Sequence, residues 1–386
     1  MRLAELRLED LRCLARVQLT LHPRLNLLTG DNGSGKTSLL EAIYLLGRGR
    51  SFRTRHTEQL IRHTAPELRV FGRIESAGVE PGVEPGVAPA PGAGQPLEPR
   101  QTPEYRLPLS HNVGLGCTRQ KGVEARIDGR DVASLAELSE LFPVQVIDPG
   151  IHRLVEEGPV QRRRWLDWAV FHVEPDFVCH WQGYSRALRQ RNAALKCGAD
   201  PTPWDAELVR LGERLSTSRA RLVEQLQPYW AAALRDLDAV PATLGYFQGW
   251  SREQDLAAAL NAHALRDRER GSTIHGPHRF DVLLRLEGRS AREGVSRGQQ
   301  KLIGAAMALT MSRYVAEVAG RAPTLLLDDP AAELDRAHTE RLLTAVASLG
   351  GQLVVTALRV GDTLLGTPDR VFHVEHNEVK TAIIPA

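Results

Sequence analysis

The residues with the plainest chemical capacity lie at 30–37. Gly30-Asp31-Asn32-Gly33-Ser34-Gly35-Lys36-Thr37 fits the phosphate-loop spacing G-x-x-x-x-G-K-[ST]. Glycines at 30, 33 and 35 let successive backbone N–H groups turn inward toward phosphate oxygens. Lys36 is placed for the β- and γ-phosphates and Thr37 offers a hydroxyl to Mg2+. The helix opening beside Ser38 aims its positive end at the same anion. An apolar strand over Leu25–Thr29 precedes the loop, and Leu39, Ile43 and Leu46 follow at helical spacing. This stretch predicts a site for ATP with Mg2+.

A second stretch, Thr324-Leu325-Leu326-Leu327-Asp328-Asp329, is an apolar strand running into two carboxylates. Beside the loop strand it would bring Asp328 to the Mg2+ shell and Asp329 to the attacking water. Pro330 follows, so capping of a helix is the competing use of these acids. Upstream, Val295-Ser296-Arg297-Gly298-Gln299-Gln300-Lys301 opens a long apolar helix. A serine there is an ordinary N-cap, and it also offers a hydroxyl and free N–H groups to an anion. Glu333-Leu334-Asp335 follows soon after the acidic strand.

The elements that must position these groups are legible in outline. Residues 2–28 alternate as two short strands that lead into the loop strand. After the loop helix, Arg48, Arg50, Arg53 and Arg55 surround Phe52. Both a grip on DNA phosphates and a solvated surface loop fit that composition. Residues 77–103 repeat Val-Glu-Pro-Gly and predict a mobile insertion of low complexity. Strand-like pieces return at 105–109 and 125–127, with a turn signal at Asp128-Gly129, and 142–147 reads as a buried strand containing Gln145. From about 150 the spacing turns helical, and Gln161 to Trp168 is both basic and aromatic. Apolar residues over 181–195 and 204–226, broken at Gly198-Ala199-Asp200-Pro201, predict a short helical hairpin. Residues 240–270 are ambiguous, and sheet character resumes near Gly271.

Composition narrows the class. The 386 residues, 42 % of them hydrophobic, suffice for two or three domains with real cores. A net charge of +2 confines any nucleic-acid site to a local patch. Cys13, Cys117, Cys179 and Cys197 form no C-x-x-C pair and no secretory leader is visible, which points to a cytoplasmic protein with structural thiols. No apolar run has membrane-spanning length, so no membrane is expected.

In order, the motifs are the loop, the Gln-bearing strand, a helical insertion, Ser-x-Gly-Gln, Asp-Asp and Glu-Leu-Asp. In that order the chain resembles the ABC-type, SMC-like heads of chromosome and repair ATPases, and most of all the RecF family of bacterial recombination mediators. Shared stretches are Asp31 to Thr37, Gly49-Arg50-Ser51-Phe52-Arg53, Arg162 to Trp168, Gly276-Pro277-His278-Arg279, Gly298-Gln299-Gln300-Lys301 and Leu326-Leu327-Asp328-Asp329. The resemblance implies an α/β fold: an ABC-type P-loop ATPase head over 1–150 and 270–386, with an inserted helical arm domain over 151–269. It implies an ATP-dependent homodimer with weak ATPase activity that binds duplex DNA and DNA beside single-strand gaps. RecR and RecO mediator proteins are its implied partners in loading recombinase. Gln145 takes the role of the glutamine near metal and water. Ser296, Gly298 and Gln299 meet ATP held by the opposite subunit, and Asp335 is the acid across that interface. Asp329 stands where transporters carry Glu, Arg297 where they carry Gly, and no histidine follows 353–356. These departures imply a slow switch. The competing readings are the ATPase subunit of a membrane transporter and a structural chromosome ATPase. The arginines at 48–55 weigh against the first, and the shortness of the hairpin weighs against the second.

Overall fold

The computed structural model describes residues 1–76, 110–362, 366–375 and 378–382. The insertion read at 77–103 and the strand piece read at 105–109 lie outside the described residues. The chain opens with β1 (Arg2–Leu11), β2 (Leu14–Thr20), β3 (Leu25–Thr29) and helix α1 (Lys36–Arg48). Next come β4 (Glu67–Glu75), β5 (Ser110–Thr118), β6 (Gly122–Ile127), β7 (Arg130–Asp131), α2 (Ala136–Leu141) and β8 (Val144–Ile147). A mostly helical stretch follows: α3 (Arg153–Glu156), α4 (Pro159–Val173), α5 (Phe177–Lys196), α6 (Asp205–Asp236), β9 (Thr243–Phe247), α7 (Leu256–Ala262) and α8 (Ala264–Arg270). The return is β10 (Asp281–Leu286), β11 (Arg289–Ser290), α9 (Ala291–Gly294), α10 (Arg297–Val318) and β12 (Thr324–Leu327). It ends with α11 (Pro330–Glu333), α12 (Arg336–Ala347), β13 (Leu353–Ala357), β14 (Arg370–Glu375) and β15 (Glu378–Ala382).

Three sheets organise these elements. An antiparallel sheet runs β2-β1-β4-β5-β6-β7, and a small one runs β11-β10-β9. The central sheet has the order β15-β14-β3-β13-β12-β8, parallel except for β15. Its strands are apolar on both faces, as a sheet covered on both sides requires. Leu27, Leu325, Leu327 and Val355 point into one hydrophobic core, whereas Leu28, Leu326 and Val354 point into the other. That alternation follows from the two-residue repeat of a strand. Gln352 stitches the sheets together, bonding both backbone groups of Leu3 at 2.8 Å and the His22 carbonyl at 2.9 Å.

The hairpin expected at 181–226 exists as α5 and α6, but it is no detached arm. Helix α6 is longer than its apolar spacing suggested, 32 residues with Pro228 inside it. It packs on α5 and on α10, and a single core joins Leu215 and Trp230 to Ile303 and Leu327. Residues read as ambiguous at 240–270 contribute β9, which pairs antiparallel with β10. Helix α10 is buried on nearly every side from Gln300 to Val315, because it lies between the central sheet and the hairpin. Gly304 permits this, since a Cβ there would stand 2.6 Å from the Ile151 carbonyl oxygen.

Polar contacts tie α4 and α5 to β10 and to the turn before it. Arg162 on α4 grips Asp281 of β10 with two bonds of 2.9 Å, and Arg163 donates to the Phe280 carbonyl at 3.0 Å. His278 is held as the neutral ring: Tyr184 Oη–H donates to its Nδ1 at 2.7 Å, and its Nε2–H donates to the Thr273 carbonyl at 3.0 Å. Its pKa is pushed down to about 4, chiefly by burial.

His172 on α4 is pushed further, to about 3, by burial and by the nearby Arg48, and its Nε2 has no partner. The sign is that of a buried neutral histidine. The unfolded chain takes up a proton below pH ~6.5 and the fold does not, so stability falls on acidification by ~1.4 kcal/mol per pH unit. We therefore expect His172→Phe to be nearly neutral at pH 7 and to be more stable than wild type by ~2 kcal/mol at pH 5. Urea unfolding of both proteins at the two pH values measures this, and parallel pH profiles would refute it.

Candidate functional site

The site forms where four parallel strands end together, the crevice in which open α/β sheets bind ligands. The C-terminal end of β3 feeds the loop 30–35, and α1 begins at Lys36. Gly30, Gly33 and Gly35 have φ of 141°, 83° and 112°. Gly30 is sterically required as well, because a Cβ there would meet the Val374 carbonyl oxygen at 2.1 Å. Lys36 Nζ lies buried across the loop and donates to the Gly30 and Asp31 carbonyls at 2.5 and 2.9 Å. Burial holds its pKa below the ordinary lysine value, against the pull of Asp329, Asp328 and Asp31. Ser34 Oγ is buried without a hydrogen-bond partner, while Asp31, Asn32 and Gly33 form an exposed rim and Ser38 is buried in the first turn of α1. Lined N–H groups, a buried ammonium and an orphaned hydroxyl suit a polyphosphate.

β12 delivers its carboxylates to the same place. Thr37 Oγ1 donates to both oxygens of Asp328 at 3.0 Å, and Thr356 Oγ1 on β13 donates to Asp328 Oδ1 at 3.0 Å. The Asp329 N–H donates to that Thr356 oxygen at 2.8 Å, which turns Asp329 into a left-handed conformation at φ 46°. Neighbouring oxygens on an octahedral Mg2+ stand ~3.0 Å apart, given metal–oxygen distances of ~2.1 Å. The Thr37–Asp328 spacing therefore fits that ion. Thr356 was not anticipated; a polar residue at the end of an apolar strand was the available signal.

Gln145 lies on the edge strand β8. It pairs with Leu325, three residues before Asp328, and stands two residues before the last residue of β8. Asp148, just past β8, has its carboxyl pKa raised by burial and, against Arg153, by the charge of Asp328. Gln145 lines a cleft together with Arg48, Arg50, Arg53 and Arg55.

Those arginines are not four equivalent contacts. Arg48 ends α1 with its guanidinium 5.6 Å from the centre of the Tyr44 ring and 5.3 Å from that of Trp168. Arg53 lies 4.0 Å from the carboxylate of Glu41. Glu41, fully buried on α1 one turn after Thr37, also takes two bonds from Arg12 at 2.8 and 2.9 Å and one from Ser51 Oγ. It thereby ties the β1–β2 turn and the arginine loop to the helix of the phosphate loop. Arg50 and Arg55 remain exposed, and Arg164 from α4, absent from the sequence-based set, joins them.

The remaining candidates sit apart from the loop. Ser296 caps α10, accepting from Gln299 N–H at 3.4 Å while the Gln299 side chain accepts from Ser296 N–H at 3.3 Å. Ser296, Arg297 and Gly298 are exposed. Asp335 caps α12 through His338, which holds its carboxyl below the usual range. Among the described residues none of Ser296, Gly298, Gln299 and Asp335 hydrogen-bonds to residues 30–37.

Comparison with known proteins agrees with this geometry. The family described as RecF/RecN/SMC N terminal domain matches residues 2–382. A DNA replication and repair protein RecF from Pseudomonas aeruginosa (strain LESB58) is 36% identical, over 98% of this chain and 97% of its own. One from Xanthomonas euvesicatoria pv. vesicatoria (strain 85-10) is 39% identical, over 98% of each. A solved structure of the recombination mediator protein RecF-ATP in the RecFOR pathway superposes with TM-score 0.83 at 23% identity, covering 99% of this chain and 97% of that one. An Smc head domain from Pyrococcus furiosus superposes less closely, with TM-score 0.57 at 14% identity, covering 98% and 95%. Among the described residues no helix is long and apolar enough to cross a membrane. From the end-to-end family match and these relatives, the chain belongs to the RecF family of DNA replication and repair proteins, recombination-repair ATPases built on the ABC-type head.

Proposed function

We propose that this protein is an ATP-switched DNA-binding component of recombinational repair. The loop 30–37 with Lys36 would hold ATP, Thr37 and Asp328 would hold Mg2+, and Asp329 would orient the attacking water. Bound Mg2+ supplies charge neutralisation on the phosphates. The observation that supports this reading best is the direct Thr37–Asp328 contact, which unites two motifs almost 300 residues apart in sequence. The Ser296 cap is exposed and separate from the loop of its own chain, which suits a surface that completes the site of a second copy. ATP then bridges two subunits into a homodimer on duplex DNA or beside a single-strand gap, and slow hydrolysis lets them part. RecR and RecO proteins are the proposed partners at such gaps, by kinship with the RecFOR pathway named for its structural relative.

Ser296→Arg tests the composite site. The variant should bind ATP as wild type does and remain monomeric at ATP concentrations that dimerise wild type, as read by sedimentation velocity. Normal ATP-dependent dimers of this variant would refute the arrangement.

A further inference from the structure

One cleft is left over by the ATP chemistry. It has a volume of about 440 Å3 and opens beside β8, the edge strand of the central sheet. That is the size of a small-ligand site. Its walls are the end of α1, the arginine loop, the turn after β8 and one face of α4, and no residue of the phosphate loop lines it. Six arginines face it, at 48, 50, 53, 55, 153 and 164, against one lining carboxylate, Asp148. Asp148 is engaged by Arg153 at 3.4 Å. Among the described residues no carboxylate pairs with Arg50, Arg55 or Arg164. These like charges press on one another: Arg164 is held below its ordinary pKa first by burial and then by Arg50 and Arg55. A polyanion would relieve that repulsion.

Charge alone describes a phosphate site, and the rest of the lining asks for more. Tyr44 and Phe52 meet edge to face at 5.3 Å, and Trp165 and Trp168 add two indoles. Trp168 is only 4 % exposed, yet its Nε1–H has no partner. The Gln145 amide lies in the same lining with no hydrogen bond to a described residue. Aromatic side chains and an unpaired amide in one cationic lining together match a planar ring with polar edges.

We propose that this cleft receives one unpaired nucleotide of a DNA strand, its base beside Phe52 and the Gln145 amide and its phosphates on Arg50, Arg55 and Arg164. A paired base cannot enter, because its edge is used and its faces are stacked, so the cleft distinguishes a gap from continuous duplex. This rests on the DNA-binding function proposed above and names what within a gap is recognised. The same chemistry in a free mononucleotide is the other source of such a ligand.

The test uses the full chain with ATP and three labelled DNAs followed by anisotropy: intact duplex, gapped duplex, and the same gap made of abasic residues. Base stacking is worth ~1–3 kcal/mol, so wild type should bind the abasic gap about tenfold more weakly than the natural gap. Arg164→Ala should weaken gapped-duplex binding, and Gln145→Ala should narrow the natural-to-abasic ratio. Both should keep their affinity for intact duplex. Equal binding of natural and abasic gaps by wild type overturns the cleft proposal and leaves DNA binding standing. No binding to any of the three overturns the DNA-binding reading itself. A further arm titrates dTMP. Quenching of tryptophan fluorescence by dTMP without competition against gapped DNA would assign the cleft to free nucleotide and overturn the proposal.

Discussion

Replacing Lys36 with Ala is expected to lower ATP affinity by two to three orders of magnitude. The ammonium is the charged donor closest to the loop, already buried over the Gly30 and Asp31 carbonyls. Charge-assisted hydrogen bonds contribute ~1.5–3 kcal/mol each, and two lost phosphate contacts near the lower end amount to ~3–4 kcal/mol, or roughly 10²–10³-fold. Isothermal titration with Mg-ATP reads the loss directly, and an unchanged circular dichroism spectrum shows that the variant is folded. A Lys36→Ala protein with wild-type ATP affinity would remove the basis for every later step. Because dimerisation depends on ATP in the proposed cycle, this variant should also stay monomeric and lose its preference for gapped DNA.

The second large effect belongs to stability. Arg219 on α6 is fully buried and donates to Asp167 of α4 at 2.7 and 3.0 Å and to the Pro277 carbonyl at 2.9 Å. Its guanidinium also lies 3.9 Å from the centre of the Phe280 ring, with Trp181 and Phe177 at 5.4 and 5.6 Å. One side chain thus joins α4, α5, α6 and the turn before β10. Arg219→Ala removes that packing and leaves Asp167 without its partner, at a cost of ~3–5 kcal/mol. Arg219→Lys keeps the charge without the planar fork and should fall between. Arg210, exposed on the same helix and paired with Glu207, provides the contrast, and its alanine variant should stay within ~0.5 kcal/mol of wild type. Denaturant unfolding of the three variants decides the matter, and a loss under ~1 kcal/mol for Arg219→Ala would refute the clamp.

Parts of this molecule were legible before any coordinates, and they share a property. The phosphate loop, the Ser296 cap and the Asp128-Gly129 turn are each specified within a few consecutive residues. Backbone dihedrals and short-range hydrogen bonds define such features wherever the segment lies. The apolar stretches Leu25–Thr29 and Thr324–Leu327 were legible as strands for the same reason, although the sheet sets them one strand apart, with β13 between. The likeness to a family came from several local features standing in one order.

Other assignments depended on which strand lies beside which. Gln145 takes its expected role from the family resemblance, and only the fold shows that it pairs with Leu325 and that Asp148 feels the charge of Asp328. Register is set by packing across strands and leaves no mark at the residue itself. Arg164 joins Arg50 and Arg55 only because α4 folds against the end of α1, and nothing near Arg164 in sequence reports that meeting. The helical hairpin packs on α10 through a core that the spacing of its own apolar residues does not reveal. The sequence by itself determined the chemistry available to this protein, through short motifs. Tertiary structure decided which of those groups meet, because burial and strand pairing act between segments that the chain keeps far apart.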